Sequence, residues 1–139
     1  MSLNLEIIMP SKVVFKDEVD EIIVPTVNGE ITILPNHVGL LTQITEGEIT
    51  TKKSGKEHFL AITGGYLEVN KNKVTILADY AIRSEDIEIA KVQEAQKRAQ
   101  HLMQEKVSEK DFAEIQSELR KSILQLKVAN KRKRHSVTP

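Results

Sequence analysis

The sequence predicts a β + α protein: an N-terminal antiparallel β-sandwich, or flattened barrel, followed by a C-terminal antiparallel two-helix hairpin. Three observations predict it. All six glycines lie at or before Gly65, and all the prolines except Pro139 at or before Pro35. Both residues punctuate turns and penalise helix interiors, so a turn-rich half precedes a helix-permissive one. The first half alternates apolar and polar residues with the period of a strand, and the second repeats apolar residues at three- and four-residue intervals, the period of an amphipathic helix. A length of 139 residues suits one ordinary domain, or a small one with an appendage.

The strands follow in order. Leu3, Leu5 and Ile7 share one face and Asn4 and Glu6 the other; Val13, Phe15 and Val19 continue the pattern after Pro10-Ser11. Residues 21–27 and 31–34 flank Asn28-Gly29, the strongest short-range hairpin signal in the chain. Further strands are expected at 41–44, 48–52, 57–63, 66–69 and 74–77, with Asn70-Lys-Asn-Lys73 as the turn between the last two. Many short strands at close spacing imply a sandwich or barrel.

The period then changes. Ser84 is the expected N-cap of a first helix, with Glu85 and Asp86 in its first turn, where carboxylates favour the positive end of the helix dipole. Ile89, Val92, Ala95, Ala99 and Leu102 form its apolar stripe. A break near Lys106–Val107 precedes Ser108-Glu-Lys-Asp111, which fits a capping box. Phe112, Ile115, Leu119, Ile123 and Leu126 form the second stripe, and so short a loop folds two helices back on each other. Ala95 and Ala99 permit close approach but bury little area, so the hairpin needs docking surfaces outside itself and suits more than one docked arrangement. The expected organisation is a sandwich over 1–83, a helical hairpin over 84–130 and a basic, disordered tail over 131–139.

Composition removes several classes of function. With no cysteine, disulfide scaffolds, thiolate zinc sites and cysteine nucleophiles are excluded. No apolar run approaches the roughly 20 residues that span a bilayer, and Met1-Ser-Leu-Asn-Leu-Glu6 lacks the basic start and apolar core of a secretory signal. A soluble protein of a reducing compartment is expected. Net charge is zero but uneven: residues 1–83 carry 11 acidic and 8 basic side chains, residues 84–139 carry 9 and 12. From Arg120 onward there are seven basic residues and no acidic one, so the C-terminus suits an anionic partner.

No catalytic constellation is visible. His37, His58, His101 and His135 are scattered, and no two have the i, i+4 spacing of a helical metal pair. Gly64-Gly65 lacks the following helix and lysine of a phosphate cradle and is read as a tight turn or bulge. Glu30 follows the hairpin glycine and His37 follows the Pro35-Asn36 turn. If those loops share one end of the sandwich, the two residues form a small polar patch; otherwise they are unrelated surface residues. The Lys131-Arg-Lys-Arg134 run serves equally as a solvated tail or as a contact for an acidic protein surface. A nucleic-acid role finds few stacking aromatics, with two tyrosines, three phenylalanines and no tryptophan.

Several segments carry a resemblance. These are Leu3-Asn-Leu-Glu-Ile-Ile-Met-Pro10, Gly29-Glu-Ile-Thr-Ile-Leu-Pro-Asn-His-Val-Gly-Leu-Leu-Thr42, Gly64-Gly-Tyr-Leu-Glu-Val69 and Val74-Thr-Ile-Leu-Ala-Asp79. With the final helical hairpin they resemble, over nearly the whole chain, the epsilon subunit of F-type rotary ATP synthases. Gly39 stands where that family usually has proline, a change in loop stiffness.

The resemblance implies a non-catalytic subunit of the central rotor stalk that grips the gamma subunit and the membrane-embedded c-ring of a proton-translocating synthase. It implies that Glu30 and His37 lie in loops facing the c-ring. It implies a hairpin that folds down beside the sandwich or extends along gamma. In the extended state Arg120, Lys121, Lys127, Lys131 and Arg132 would meet acidic loops of the catalytic beta subunits, beside alpha, and inhibit ATP hydrolysis. No cofactor or metal is implied, no nucleic-acid partner, and membrane contact only through the complex. The implied place is the cytoplasmic face of a bacterial plasma membrane, with a plastid thylakoid as the alternative.

Some bacterial members bind ATP through Ile/Leu-Asp-x-x-Arg-Ala at the start of the first helix. This chain has Ile87-Glu-Ile-Ala-Lys-Val92, so Glu88, Lys91 and Arg98 are the candidate contacts, for weak binding, because lysine lacks the bidentate fork of arginine. The rival class is a β-sandwich adaptor that binds nucleic acid or another anionic surface through the basic C-terminus.

Overall fold

A computed structural model describes residues 2–105 and 107–137, with side chains described as far as Lys131. The chain divides into two compact units, 1–84 and 85–139.

The first unit is ten strands: β1 (Leu3–Met9), β2 (Lys12–Val19), β3 (Glu21–Thr26), β4 (Gly29–Ile33), β5 (Leu40–Ile44), β6 (Gly47–Lys53), β7 (Lys56–Ile62), β8 (Gly65–Asn70), β9 (Lys73–Ala78) and β10 (Ala81–Arg83). Their hydrogen-bonded order is β10-β7-β6-β3-β5-β8-β9-β1-β2, with β4 paired to β3 alone. All pairings are antiparallel except β1 with β9. β3 is the corner. One edge carries β4, while the other pairs β6 over Glu21, Ile22 and Ile23 and then β5 at Thr26. Pro25, which has no N–H to donate, sits where that partner changes. At the outer ends of the order β2 comes back to β6, where Lys53 Nζ lies 2.9 Å from Asp17 Oδ1, so the sandwich is nearly closed.

Strand parity builds the interior. Leu3, Leu5, Ile7, Ile22, Val24, Ile33, Ile44, Ile49, Leu60, Ile62, Leu67 and Ile76 are fully or almost fully buried in one cluster. At Gly65 the backbone is the packing element: φ is +151° and an added Cβ would lie 2.1 Å from the Leu77 carbonyl oxygen. Gly64-Gly65 is therefore a close crossing of backbones and neither the tight turn nor the bulge expected, since β8 pairs with β9 from Gly65 onward without a register shift.

The second unit holds a 3-10 turn over Ser84–Asp86 at its entrance, then α1 (Ile89–Met103) and α2 (Glu109–Val137). α1 and α2 pack against each other as the expected hairpin. Ser108 Oγ accepts the Asp111 N–H at 3.1 Å, the N-cap half of the expected box.

The structure corrects several local expectations. β10 was not anticipated: three residues are too few to show a period, and pairing with β7 makes the strand. The hairpin turn falls on Val27-Asn28 rather than Asn28-Gly29. Positive φ is confined to Gly29 (109°), and the Thr26 hydroxyl holds the turn by donating to the Gly29 carbonyl at 2.6 Å. Ser84 does not cap α1. It starts the 3-10 turn, and Glu88 holds the N-cap position without a side-chain bond. The second stripe is rotated: Ile123 is half-exposed while Ser122, Gln125, Val128 and Ala129 are buried. α2 also runs on as helix through Val137, so the basic run lies within it and not in a disordered tail. Lys and Arg are good helix formers and neither Gly nor Pro interrupts them. Of the expected break, Lys106 lies outside the described residues.

Candidate functional site

Three surfaces stand out, each placed by a different element. The first is an apolar row across the outer face of the sandwich. Tyr66 of β8 pairs with Leu77 of β9, Leu77 with Ile8 of β1, and Ile8 with Val13 of β2. Tyr66, Leu77 and Val13 are each more than half exposed, at 56%, 54% and 52%. Four strands at about 4.8 Å spacing make the row roughly 14 Å wide. Leu41, 72% exposed, extends it on β5, two residues from the Gln43 that pairs with Tyr66. Sequence reading missed this row. The signal was present as apolar residues (Tyr66, Leu77) at positions of the wrong parity for the core that Leu67 and Ile76 define.

The second surface is the flank of β4. Glu30 is the second residue of that strand and pairs with Pro25, whereas His37 lies in the loop beyond its other end. A single polar patch is therefore not formed. The four steps from Glu30 to Leu34 alone extend about 13 Å. Both residues nevertheless belong to one edge, because β4 pairs only with β3 among the described residues. Glu30, Thr32 and Leu34 point outward along it, while Ile33 is buried in the core. The loop that carries His37 is a turn in which the His37 N–H donates to the Leu34 carbonyl at 3.2 Å. Its neighbour Asn36 adopts φ 66°, a conformation that asparagine tolerates.

The third surface is on α2. At about 100° per residue Arg120, Lys127 and Lys131 fall within an arc of roughly 40°, opposite the buried Ser122, Gln125 and Ala129. Arg120 and Lys127 are exposed, and Lys131 and Lys121 half-buried. Lys121 stands about 100° from the middle of that arc, between the basic and the buried faces, and the Arg132 side chain lies outside the described residues. Exposed Ile123 flanks the same face.

The candidate nucleotide contacts are not assembled into a pocket. Lys91 Nζ lies 2.9 Å from Glu88 Oε2 on the same helix, both largely exposed, and that hydrogen bond and charge hold the Lys91 ammonium above its ordinary value of 10.5. Arg98, two turns further, lines a shallow groove of about 310 Å³ with Ala95, Ala99, Leu102, Ile115 and two glutamates, Glu114 and Glu118. Two carboxylates beside one guanidinium leave little attraction for a polyphosphate. Among the described residues no group of His, Asp and Glu side chains is placed to hold a metal, and no helix is long and apolar enough to cross a membrane.

A sandwich with an apolar outer row, joined to a hairpin whose second helix is basic on its outward face, is the build of a docking subunit. Comparison with known proteins identifies which class. Residues 2–84 match the family described as ATP synthase, Delta/Epsilon chain, beta-sandwich domain, and residues 85–130 match its long alpha-helix domain. The ATP synthase epsilon chain of Dehalococcoides mccartyi is 42% identical over 134 residues, covering 96% of both chains. That of Nitratidesulfovibrio vulgaris is 36% identical over 127 residues, covering 91% of this chain and 95% of the relative. The chain belongs to the ATP synthase epsilon-chain family. The fold also matches chains in mitochondrial ATP synthase structures. One is from Euglena gracilis (TM-score 0.63, 20% identity, 93% of this chain and 78% of the other). Another is from the central stalk and c-ring of Tetrahymena thermophila (TM-score 0.62, 14% identity, 93% and 97%).

Proposed function

We propose that this chain is a non-catalytic central-stalk subunit of a proton-translocating ATP synthase. It couples rotation of the c-ring to the catalytic head and restrains ATP hydrolysis through its C-terminal helices. The observation that carries the reading is the apolar row of Tyr66, Leu77, Ile8 and Val13, on a sandwich whose interior is already filled. A contiguous apolar row of this kind favours a permanent protein neighbour, and the gamma subunit is the neighbour assigned. The edge of β4, from Glu30 to His37, is assigned to the polar loops of the c-ring. A strand lying along the ring would bring both its ends to it although they do not touch each other.

The basic face of α2 supplies the regulatory contact. Arg120, Lys121, Lys127, Lys131 and Arg132 are assigned to acidic loops on the catalytic beta and alpha subunits, an attraction that steers docking and weakens with salt. Nucleotide contact at Glu88, Lys91 and Arg98 is assigned a weak, millimolar-range affinity at most, because Glu88 and Lys91 already satisfy each other. The complex would place the chain at the cytoplasmic face of a bacterial plasma membrane, or on the stromal side of a thylakoid, without any membrane contact of its own.

Reconstituted enzyme carrying Arg120→Ala, Lys121→Ala and Lys127→Ala together tests the regulatory half. Hydrolysis should rise severalfold toward the rate seen without residues 84–139, with co-purification of gamma undiminished. Unchanged ATPase activity removes the inhibitory assignment. The stalk assignment is tested separately by Tyr66→Ser with Leu77→Ser, which should weaken capture by gamma at least tenfold.

A further inference from the structure

The loop that carries His37 is not held by its own residues alone. A second loop, Lys71-Asn72 between β8 and β9, reaches across to it. Asn72 Oδ1 accepts the backbone N–H of Asn36 at 2.6 Å, and Asn72 Nδ2 donates back to Asn36 Oδ1 at 3.3 Å. A backbone N–H can only donate, so the Asn72 atom facing it is the oxygen, which directs the amide nitrogen toward Asn36. Asn72 is itself fixed from behind, since its carbonyl accepts the Asn4 N–H at 2.8 Å where β1 begins. Both asparagines have positive φ, 66° at Asn36 and 64° at Asn72, so each side chain is presented from a backbone turn and not from a strand face.

The consequence falls on the next residue. His37 Nδ1 lies 2.7 Å from the Val38 carbonyl oxygen. A carbonyl only accepts, so Nδ1 carries the proton and the neutral ring keeps Nε2 as its acceptor. Nε2 has no partner among the described residues. One tautomer and one loop conformation are thus set before any partner arrives, which lowers the ordering cost of docking.

We infer that Asn72 is a positioning residue for the His37 loop, clasping Asn36 so that His37 presents Nε2 as a preformed acceptor to a hydrogen-bond donor on the facing subunit. The inference rests on the reading of this loop as a ring contact, although the clasp itself can be tested without that reading.

Two variants of the full-length chain separate the possibilities. Asn72→Gly keeps a residue that adopts positive φ but removes the side chain; Asn72→Asp keeps the acceptor for the Asn36 N–H. In the free chain, amide exchange at Asn36 should accelerate about tenfold in Asn72→Gly, as loss of one hydrogen bond implies. The separation of the His37 ring nitrogen shifts should shrink as the tautomers average. Asn72→Asp should restore both, and the urea midpoint should fall only slightly in Asn72→Gly, by what the lost hydrogen bonding contributes, with the cooperative transition kept in each. Exchange and ring shifts in Asn72→Gly identical to those of the native chain overturn the clasp. In assembled enzyme, Asn72→Gly should reduce the coupling of hydrolysis to proton pumping as His37→Ala does, with rescue by Asn72→Asp. Loss of coupling in His37→Ala with none in Asn72→Gly overturns the positioning role while sparing the ring contact. Full coupling in His37→Ala, with a mobilised loop in Asn72→Gly, removes the ring contact and with it the presentation of His37, leaving the clasp as a fact of the free chain.

Discussion

The sandwich and the hairpin use apolar residues in opposite ways. Every strand from β3 to β9 gives at least one branched aliphatic or leucine residue to a single closed cluster. α1, with fifteen residues, buries only Ala99, and α2 buries Ser122 and Gln125 beside Val128 and Ala129. A face of alanine, serine and glutamine fits closely but gains little from leaving water, whereas each buried Leu or Ile gains about 1.5–3 kcal/mol. One unit is therefore committed to a single packing, and the other is built for contacts that form and release at modest cost. That division is what the proposed role asks for, with force passing through the base and regulation through the arm.

The largest test of the comparison is in the sandwich. Gly65→Ala drives a methyl into the Leu77 carbonyl at 2.1 Å and asks alanine to hold φ +151°. The expected outcome is loss of about 3 kcal/mol or more, or failure to fold. Leu67→Ala, at a fully buried site, keeps the test open by removing about 2–5 kcal/mol in a urea titration without preventing folding. If either change costs less than about 1 kcal/mol, the sandwich is not the rigid partner in the comparison.

The second test is in the hairpin. Leu102 closes the α1 stripe but is 40% exposed, so Leu102→Ala should cost less than about 1 kcal/mol. Hydrogen exchange should show α1 amides opening at lower free energy than those of β1 and β9, and Leu102→Ala should move only the former. Exchange of both units through one common opening would mean that the arm is not separately released.

Much of this was legible in the residues. Period-2 alternation placed nine of the ten strands, and the switch of period near Ser84 matches the division into units at 84 and 85. What escaped has a physical pattern. β10 is strand only because β7 supplies its hydrogen bonds. Ile123 was assigned to the seam because a stripe drawn at three- and four-residue intervals fixes a face to within a residue, and what finally covers α2 decides the rest. The site was less legible. Glu30 and His37 are singled out by the wording around them, but their separation along β4 depends on strand pairing. The apolar row becomes one surface only when four strands are placed side by side. The Asn36–Asn72 clasp joins positions thirty-six residues apart, which no local pattern encodes.

The smallest expected effect concerns how each unit uses an exposed ion pair. Lys53–Asp17 closes the sandwich between β6 and β2, while Lys91–Glu88 joins neighbours one turn apart on α1. The Lys53 hydrogen bond, then the Glu18 N–H, hold the Asp17 carboxyl below its ordinary value of 3.8. A depressed carboxylate contributes stability that is present above 3.8 and is lost as pH falls through its lower folded value. The Lys53 ammonium is held above 10.5 by the same hydrogen bond, so its contribution is present below 10.5 and fades only in strong alkali. Asp17→Asn should therefore lower the urea midpoint of the sandwich slightly at pH 7, and the gap to the native chain should close as pH falls below 3.8. High salt should also narrow it, because exposed pairs are screened. Lys91→Met should leave that midpoint where it was at every pH. An equal response to the two substitutions would mean that the pair joining distant strands ties no more of the fold together than the pair within one helix.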